Sequence, residues 1–139
     1  MTRINATISP KKLCDQHLIA EYREILRVFK LAKTIEKPPK EFTLGIGHVT
    51  FFFDKLMYAH KRFDSLRSEI FDRGFRPKME FDSTVLKSKT SLYNDWEGTD
   101  KANELVTLRI LQRAEAMKGI RYRGKLVTFE EYKKYFVEL

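Results

Sequence analysis

Residues 1–29 read MTRINATISPKKLCDQHLIAEYREILRVF, and the second half of this stretch decides the fold. Ser9-Pro10 has the form of a helix opening: a serine oxygen to accept backbone N–H groups, then a proline whose missing donor costs nothing at the first helical position. At about 100° per residue, Cys14, Leu18, Tyr22, Ile25 and Phe29 fall on one stripe, the core face of an amphipathic helix. That helix is expected from about Pro10 to Thr34. Glu36, Lys37, Pro38, Pro39 and Lys40 end it, because consecutive prolines remove donors and push the residues before them out of the helical region. Glu24 lies well off the stripe, close in angle to His17, Ala20 and Arg27. Arg23 and Arg27 are one turn apart and also point away from the core. A carboxylate between two arginines on a wet face is, in the plainest reading, a surface ion-pair network.

The start of the stretch suggests more. Thr2 follows the initiator methionine, and a small second residue usually lets that methionine be removed, which leaves a threonine α-amine. An α-amine has a pKa of about 7.7–8.0 against about 10.4 for lysine, so part of it is free base at neutral pH. A nearby cation such as Arg3 raises that part. A free amine adds to a sugar or carbonyl carbon to form an imine, which makes position 2 a candidate nucleophile.

Downstream, Gly45-Ile46-Gly47 lacks the third glycine and the preceding strand of a nucleotide-binding turn, and reads instead as a close backbone approach opening a second helix. In that helix Val49, Phe52, Phe53, Leu56, Ala59, Phe63, Leu66 and Ile70 recur at three- and four-residue steps, with Gly74 and Pro77 as the stop. Phe51, Met57 and Tyr58 lie off its main face, so contact from a second side is expected. Lys55, Lys61, Arg62 and Arg67 give it a basic side, read as solvated. His48 and His60 share no metal-ligand spacing, and His48 reads as chiefly structural. From Arg76 to Thr99 the periodicity is lost; this is loop with one short helical turn, anchored to the core by Trp96. A third helix is expected from Thr99-Asp100 to before Gly119, with Ala102, Leu105, Val106, Ala114 and Met117 inside. Its Arg109 and Arg113 share a face and suit neighbouring phosphates. Thr128-Phe129-Glu130-Glu131 is a capping-box pattern, so a short terminal helix follows, packed through Phe129, Tyr132 and Phe136.

The expected architecture is therefore mainly α: a compact single domain over residues 1–139, with three helices and a short C-terminal helix. The formal charge of +8 suits a polyanionic partner. Cys14 is the sole cysteine, which excludes an intrachain disulfide and a cysteine zinc site, and its place on the core stripe reads as an inert buried thiol. No signal-peptide run and no membrane span is visible. A reducing, cytosolic compartment is expected, with a monomer, no membrane partner, no metal and no cofactor.

The blocks MTRIN, DQHLIAEYRE, RVF, GHVTFFFDKL and RGF, in this order, closely resemble the phage-type pyrimidine-dimer DNA glycosylase/AP lyase family, often called phage endonuclease V. The resemblance implies a compact helical domain with an N-terminal arm reaching the active site, which acts on double-stranded damaged DNA, needs no cofactor and works in the host cytosol if the chain is phage-encoded. It implies Thr2 as the amine nucleophile and Glu24 as the essential carboxylate. It places Arg3, Gln16, His17, Arg23 and Arg27 around the DNA backbone and the reactive sugar, and carries over Arg109 and Arg113 on a looser alignment. Relatives have a longer connector where Glu36–Lys40 stands here. They also carry an aromatic-rich segment near Ile120-Arg121-Tyr122-Arg123-Gly124-Lys125. Tyr122, Gly124 and Lys125 match it, while its tryptophan and other tyrosines have no counterpart. Cyclobutane pyrimidine dimers are the implied lesion. The alternatives are an AP lyase, a glycosylase for another damaged or modified base, or a DNA-binding relative without catalysis.

Overall fold

The computed structural model describes residues 4–34, 38–77 and 81–138. It is mainly helical: α1 (Asp15–Leu31), α2 (His48–Phe51), α3 (Leu56–Asp72), α4 (Asp100–Ala116) and α5 (Phe129–Glu138), with a small sheet of β1 (Ile120–Tyr122) and β2 (Lys125–Val127). The skeleton is the expected one of three long helices, α1, α3 and α4, each of 17 residues. One apolar core runs through it, from Ile4 of the arm to Phe136 of α5. Tyr22 and Phe29 of α1 pack on Phe63 of α3 with ring centroids 5.2 and 5.9 Å apart. No helix among the described residues is long and apolar enough to cross a membrane.

The boundaries differ from the expected ones in instructive ways. Ser9-Pro10 opens only a 3-10 turn, Pro10–Lys12, in which the Ser9 hydroxyl accepts the Lys11 N–H. Leu13 and Cys14 are then extended and α1 begins afresh at Asp15. Its far end is Leu31 rather than Thr34, where the Lys89 ammonium donates to the carbonyls of Lys30 and Ala32 at 3.3 and 2.6 Å. Cations suit the negative end of a helix, so the cap comes from a distant loop and not from the local sequence.

The expected second helix is two. After α2 the chain turns through Phe52 to Lys55, whose φ of −128° is non-helical, and α3 starts at Leu56. Phe51, Phe52 and Phe53 explain the break, since all three are buried. Three consecutive residues of a continuous helix spread over about 200° and cannot share one core face. Gly47 precedes α2 at φ +91°, and a Cβ there would meet Pro39 Cγ at 2.9 Å, so this position needs glycine for both reasons. Trp96 does anchor its loop: it stacks on Phe42 at 5.8 Å and meets Phe51 and Tyr58 edge-on at 5.3 and 4.9 Å. The short helical turn expected nearby is a kinked 3-10 stretch, Ser83–Leu92.

On α4, Ala102, Val106 and Ala114 are buried as expected, joined by Ile110, while Leu105 and Met117 are half-buried. The capping box forms reciprocally, Glu131 N–H to Thr128 Oγ1 and Thr128 N–H to Glu131 Oε1, both 3.1 Å. Buried Tyr132 then ties α5 to the entry of α1: its hydroxyl donates to Lys12 O at 2.8 Å and accepts the Cys14 N–H at 3.2 Å. The hairpin was not foreseen. Arg123 and Gly124 have φ of +52° and +83°, the two positive angles of a tight two-residue hairpin turn.

Candidate active site

The N-terminal arm is fastened at five successive residues to α1, α2, α3 and α4. Ile4 N–H donates to His48 Nε2 at 2.9 Å, and Asn5 Nδ2 donates to Glu21 Oε1 at 2.9 Å. The Tyr58 hydroxyl donates to Ala6 O at 2.8 Å, and Thr7 Oγ1 donates to Asn103 Oδ1 at 2.9 Å. Ile8 O accepts from Arg62 Nη1. Burial pushes the Tyr58 pKa up to about 12, so its hydroxyl stays a donor. Ala6 is held at φ +27°, a conformation that costs a non-glycine residue about 1–2 kcal/mol. The surrounding bonds and the burial of Ile4, Ala6 and Ile8 offset that cost. A Cβ on Gly98 would lie 2.2 Å from Thr7 Cγ2, so the loop after Trp96 closes directly on the arm.

Arg62 is therefore not on a solvated basic face. Its guanidinium forks onto Glu21, Nε to Oε2 at 2.7 Å and Nη2 to Oε1 at 2.9 Å, with side-chain exposures of 7% and 0%. The neighbouring carboxylate holds the Arg62 pKa above its ordinary value against the opposing effect of burial. α1 thus carries two carboxylates of different character. Glu21 is consumed by the fold. Glu24, one turn further on, keeps 12% side-chain exposure and a single long contact, 3.4 Å from Arg27 Nη1, whose own side chain is 65% exposed. Its oxygens retain capacity for another partner.

His17 lies on the same flank, mostly buried. Burial first and the Arg113 charge second push its pKa down to about 4, so the imidazole is neutral near pH 7. His17 Nδ1 and Arg109 Nε are buried with no hydrogen-bond partner among the described residues. Arg109 and Arg113 are one turn apart on α4, and Arg113 is close enough for its charge to act on His17. Buried donors without acceptors call for a ligand to complete them, here an anion. Arg23 does not join this group. It lines a separate cleft of about 440 Å³ with Ile19, Tyr22, Ile70, Phe75, Arg76 and Pro77.

Two of the expected DNA contacts are occupied by the protein itself. Gln16 donates through Nε2 to Gly119 O at 2.6 Å and accepts the Arg121 N–H through Oε1 at 3.0 Å, which clamps the edge of β1. Tyr122 donates its hydroxyl to Lys11 O at 2.8 Å, stacks on Tyr135 at 5.2 Å and lies under the Arg73 guanidinium. Lys125 is exposed on β2. The residue that sequence reasoning passed over is Asp15, which accepts the N–H groups of Arg123 and Gly124 at 3.0 and 2.8 Å and pairs with fully buried Arg73 at 2.9 Å. Arg73 also pairs with Glu69 at 2.8 Å. The only local signal was an acidic residue at a helix start. Cys14 is buried, and burial pushes its thiol pKa up, away from reactivity. Thr2 and Arg3 lie outside the described residues. Among the described residues, no three His, Cys, Asp or Glu side chains gather where they would hold a metal ion.

A basic, helical protein with a partly exposed carboxylate on α1, paired arginines on α4 and a tightly fastened N-terminal arm has the features of a protein that acts on a polyanion. The family model for pyrimidine dimer DNA glycosylases matches residues 1–83, which contain the arm, α1, α2 and α3, and the chain belongs to that family. It is accordingly a DNA glycosylase of the DNA-repair class, with DNA as its substrate.

Proposed function

We propose that this protein is a glycosylase with AP lyase activity on damaged duplex DNA, with cyclobutane pyrimidine dimers as the lesion and the Thr2 amine as nucleophile. The observation that carries this reading is the fastening of the arm. Asn5 is bonded to Glu21, one turn from Glu24 on the same helix, and Ile4 is bonded to His48. Thr2 is two residues before Ile4, at most about 7 Å of chain. An amine on so short a tether works within the neighbourhood of Glu24.

With Met1 removed, the neutral amine attacks C1′, the C1′–N bond to the base breaks, and the base leaves with a proton. Loss of an amine proton and opening of the sugar ring give an imine between Thr2 and C1′. Removal of a C2′ proton then expels the 3′ phosphate by β-elimination, and water releases the sugar remnant from the amine. Glu24 is the group for the proton transfers and for stabilising the cationic intermediate. Arg3, Arg23, Arg27, Arg109, Arg113 and Lys125 neutralise phosphates, and neutral His17 supplies a hydrogen bond. Gln16 and Tyr122 act indirectly, by holding the hairpin against α1. Reaching C1′ requires bending the duplex or extruding a nucleotide, which costs least at a damaged pair.

A second reading of the substrate has its own support. Tyr122, the aromatic residue that matches the lesion-reading segment of relatives, has its hydroxyl bonded to Lys11 O and its ring in contact with Tyr135 and Arg73. On this reading the same imine chemistry serves an abasic site or another damaged base. Borohydride trapping of the mature protein, its N-terminal residue checked by mass, separates the readings. Trapping on duplexes carrying either an abasic site or a pyrimidine dimer supports the first; trapping on the abasic duplex alone supports the second. No trapping on either with Met1 absent rejects both.

A further inference from the structure

Two residues after the proposed nucleophile, the chain hangs on one imidazole. His48 is buried, with 2% exposure, and its two ring nitrogens face opposite requirements. Nε2 meets the Ile4 N–H at 2.9 Å, while Nδ1 lies 2.7 Å from Thr43 O. A carbonyl only accepts and an amide N–H only donates, so the proton sits on Nδ1 and the Nε2 lone pair holds Ile4. The ring cannot drift: Phe42 and Phe52 meet it edge-on at 5.4 and 5.7 Å. It is also the first residue of α2, placed by Gly47 at φ +91° against Pro39, a backbone only glycine accommodates. A second side chain, Tyr58, holds the arm through its hydroxyl, which donates to Ala6 O at 2.8 Å.

We propose that His48 is a positioning residue for the N-terminal amine, fixing through the Ile4 N–H the direction in which the first residues leave the core, with Tyr58 as the second point of the same latch. The inference rests on Thr2 being the nucleophile. Its logic is that of intramolecular attack: the rate of imine formation depends on how narrowly the amine is held against C1′, and a misplacement of about 1 Å costs on the order of 100-fold. Without the His48 bond, the first anchor among the described residues of the arm moves from Ile4 to Asn5. DNA affinity, carried by phosphate contacts elsewhere, is not expected to change.

The two amide replacements of histidine separate the ring nitrogens. His48→Asn reproduces Nδ1 and keeps a donor for Thr43 O but has no atom at Nε2. His48→Gln puts an amide oxygen near Nε2 and keeps an acceptor for Ile4. The measurements are single-turnover borohydride trapping on a duplex with an abasic site, affinity for a duplex carrying tetrahydrofuran in its place, and far-UV circular dichroism. His48→Asn is expected to slow trapping by roughly 10–100-fold with affinity changed by less than about twofold. His48→Gln is expected to recover most of that loss. Tyr58→Phe, which deletes one hydroxyl and leaves the packing intact, is expected to slow trapping several-fold, and it decides the matter if both His48 variants unfold. Wild-type trapping rates in folded His48→Asn, or in Tyr58→Phe where that variant decides, overturn the latch. So does a loss of affinity in parallel with rate that His48→Gln fails to rescue. Failure of the unsubstituted protein to trap overturns the nucleophile itself, and is recognised by appearing before any substitution.

Discussion

Replacing Arg62 by methionine removes one partner of the buried pair that joins α3, α1 and the arm. The substitution deletes two charge-assisted bonds to Glu21, at 2.7 and 2.9 Å, and the bond to Ile8 O, while roughly preserving side-chain volume. Glu21 has 0% side-chain exposure and is left with only the Asn5 amide. Removing one member of a buried pair costs about 3–5 kcal/mol, mostly because the remaining charge stays out of water. For a chain of this size roughly 3–5 °C of melting temperature accompanies each kcal/mol, so a fall of about 10–20 °C is expected. The double variant Glu21→Leu/Arg62→Met removes both charges and is expected to recover most of the loss, remaining about 1–2 kcal/mol below the parent because Asn5 loses its acceptor. Urea and thermal unfolding followed by circular dichroism measure all three proteins. A single-variant loss below about 1 kcal/mol, or a double variant no more stable than Arg62→Met, refutes the reasoning, for then the pair is neither desolvated nor coupled.

Glu24→Gln is expected to bind damaged duplex within about twofold of the parent and to lose at least 100-fold in strand cleavage, checked by single-turnover gel assay; equal cleavage removes Glu24 from the chemistry. Arg27→Ala and Arg23→Ala should each lower the slope of log affinity against log salt by about 1, measured by anisotropy from low to moderate salt. His17 gives the pH prediction. Its folded pKa of about 4 lies below the unfolded value of about 6.5, so the unfolded chain binds the extra proton first. The stabilisation is complete above about pH 6.5 and is lost as pH falls towards 4, by at most on the order of 3 kcal/mol. His17→Gln should flatten that part of the stability profile, and an unchanged profile means another group titrates there.

The helical skeleton was legible because apolar spacing alone sets it. The stripe from Cys14 to Phe29 and the run from Leu56 to Ile70 are buried where periodicity puts them. Trp96 and the Thr128–Glu131 capping box were legible for local reasons, one a lone large ring in a polar loop, the other a spacing with one geometric meaning. What the sequence concealed was long-range pairing of charge. Arg62 and Arg73 look like ordinary surface cations on a helix, and only the fold reveals that their partners Glu21 and Asp15 lie 41 and 58 residues away. The break between α2 and α3 was concealed for a related reason: a helical period fits Val49 to Ile70 well, and only the need to bury Phe51, Phe52 and Phe53 together overrides it. The flank holding Glu24 and His17 was readable from angle alone, whereas the difference between consumed Glu21 and available Glu24 was not.

That difference bears on how chemistry and recognition are divided along α1. Its middle turns carry the core stripe on one side and Glu21, Glu24 and the arm on another. Its first turn, through Asp15 and Gln16, instead grips the hairpin by four backbone contacts. The hairpin and α5 lie beyond residue 83, outside the matched region, and the arm anchors all lie within it except Asn103. On the proposed function, the hairpin and α5 therefore reach the reacting groups through the start of α1, the Pro10–Lys12 turn before it and the far end of α3, and not through the arm anchors. Changes in the hairpin should alter which lesion is bound while leaving the imine step intact. Changes at Glu21, His48 or Arg62 should do the reverse, because the arm depends on them and the hairpin does not. If the reactive amine is the chain end, as proposed, such a separation is needed, since a terminus that also had to read the lesion would be held by two sets of contacts with conflicting demands on its position.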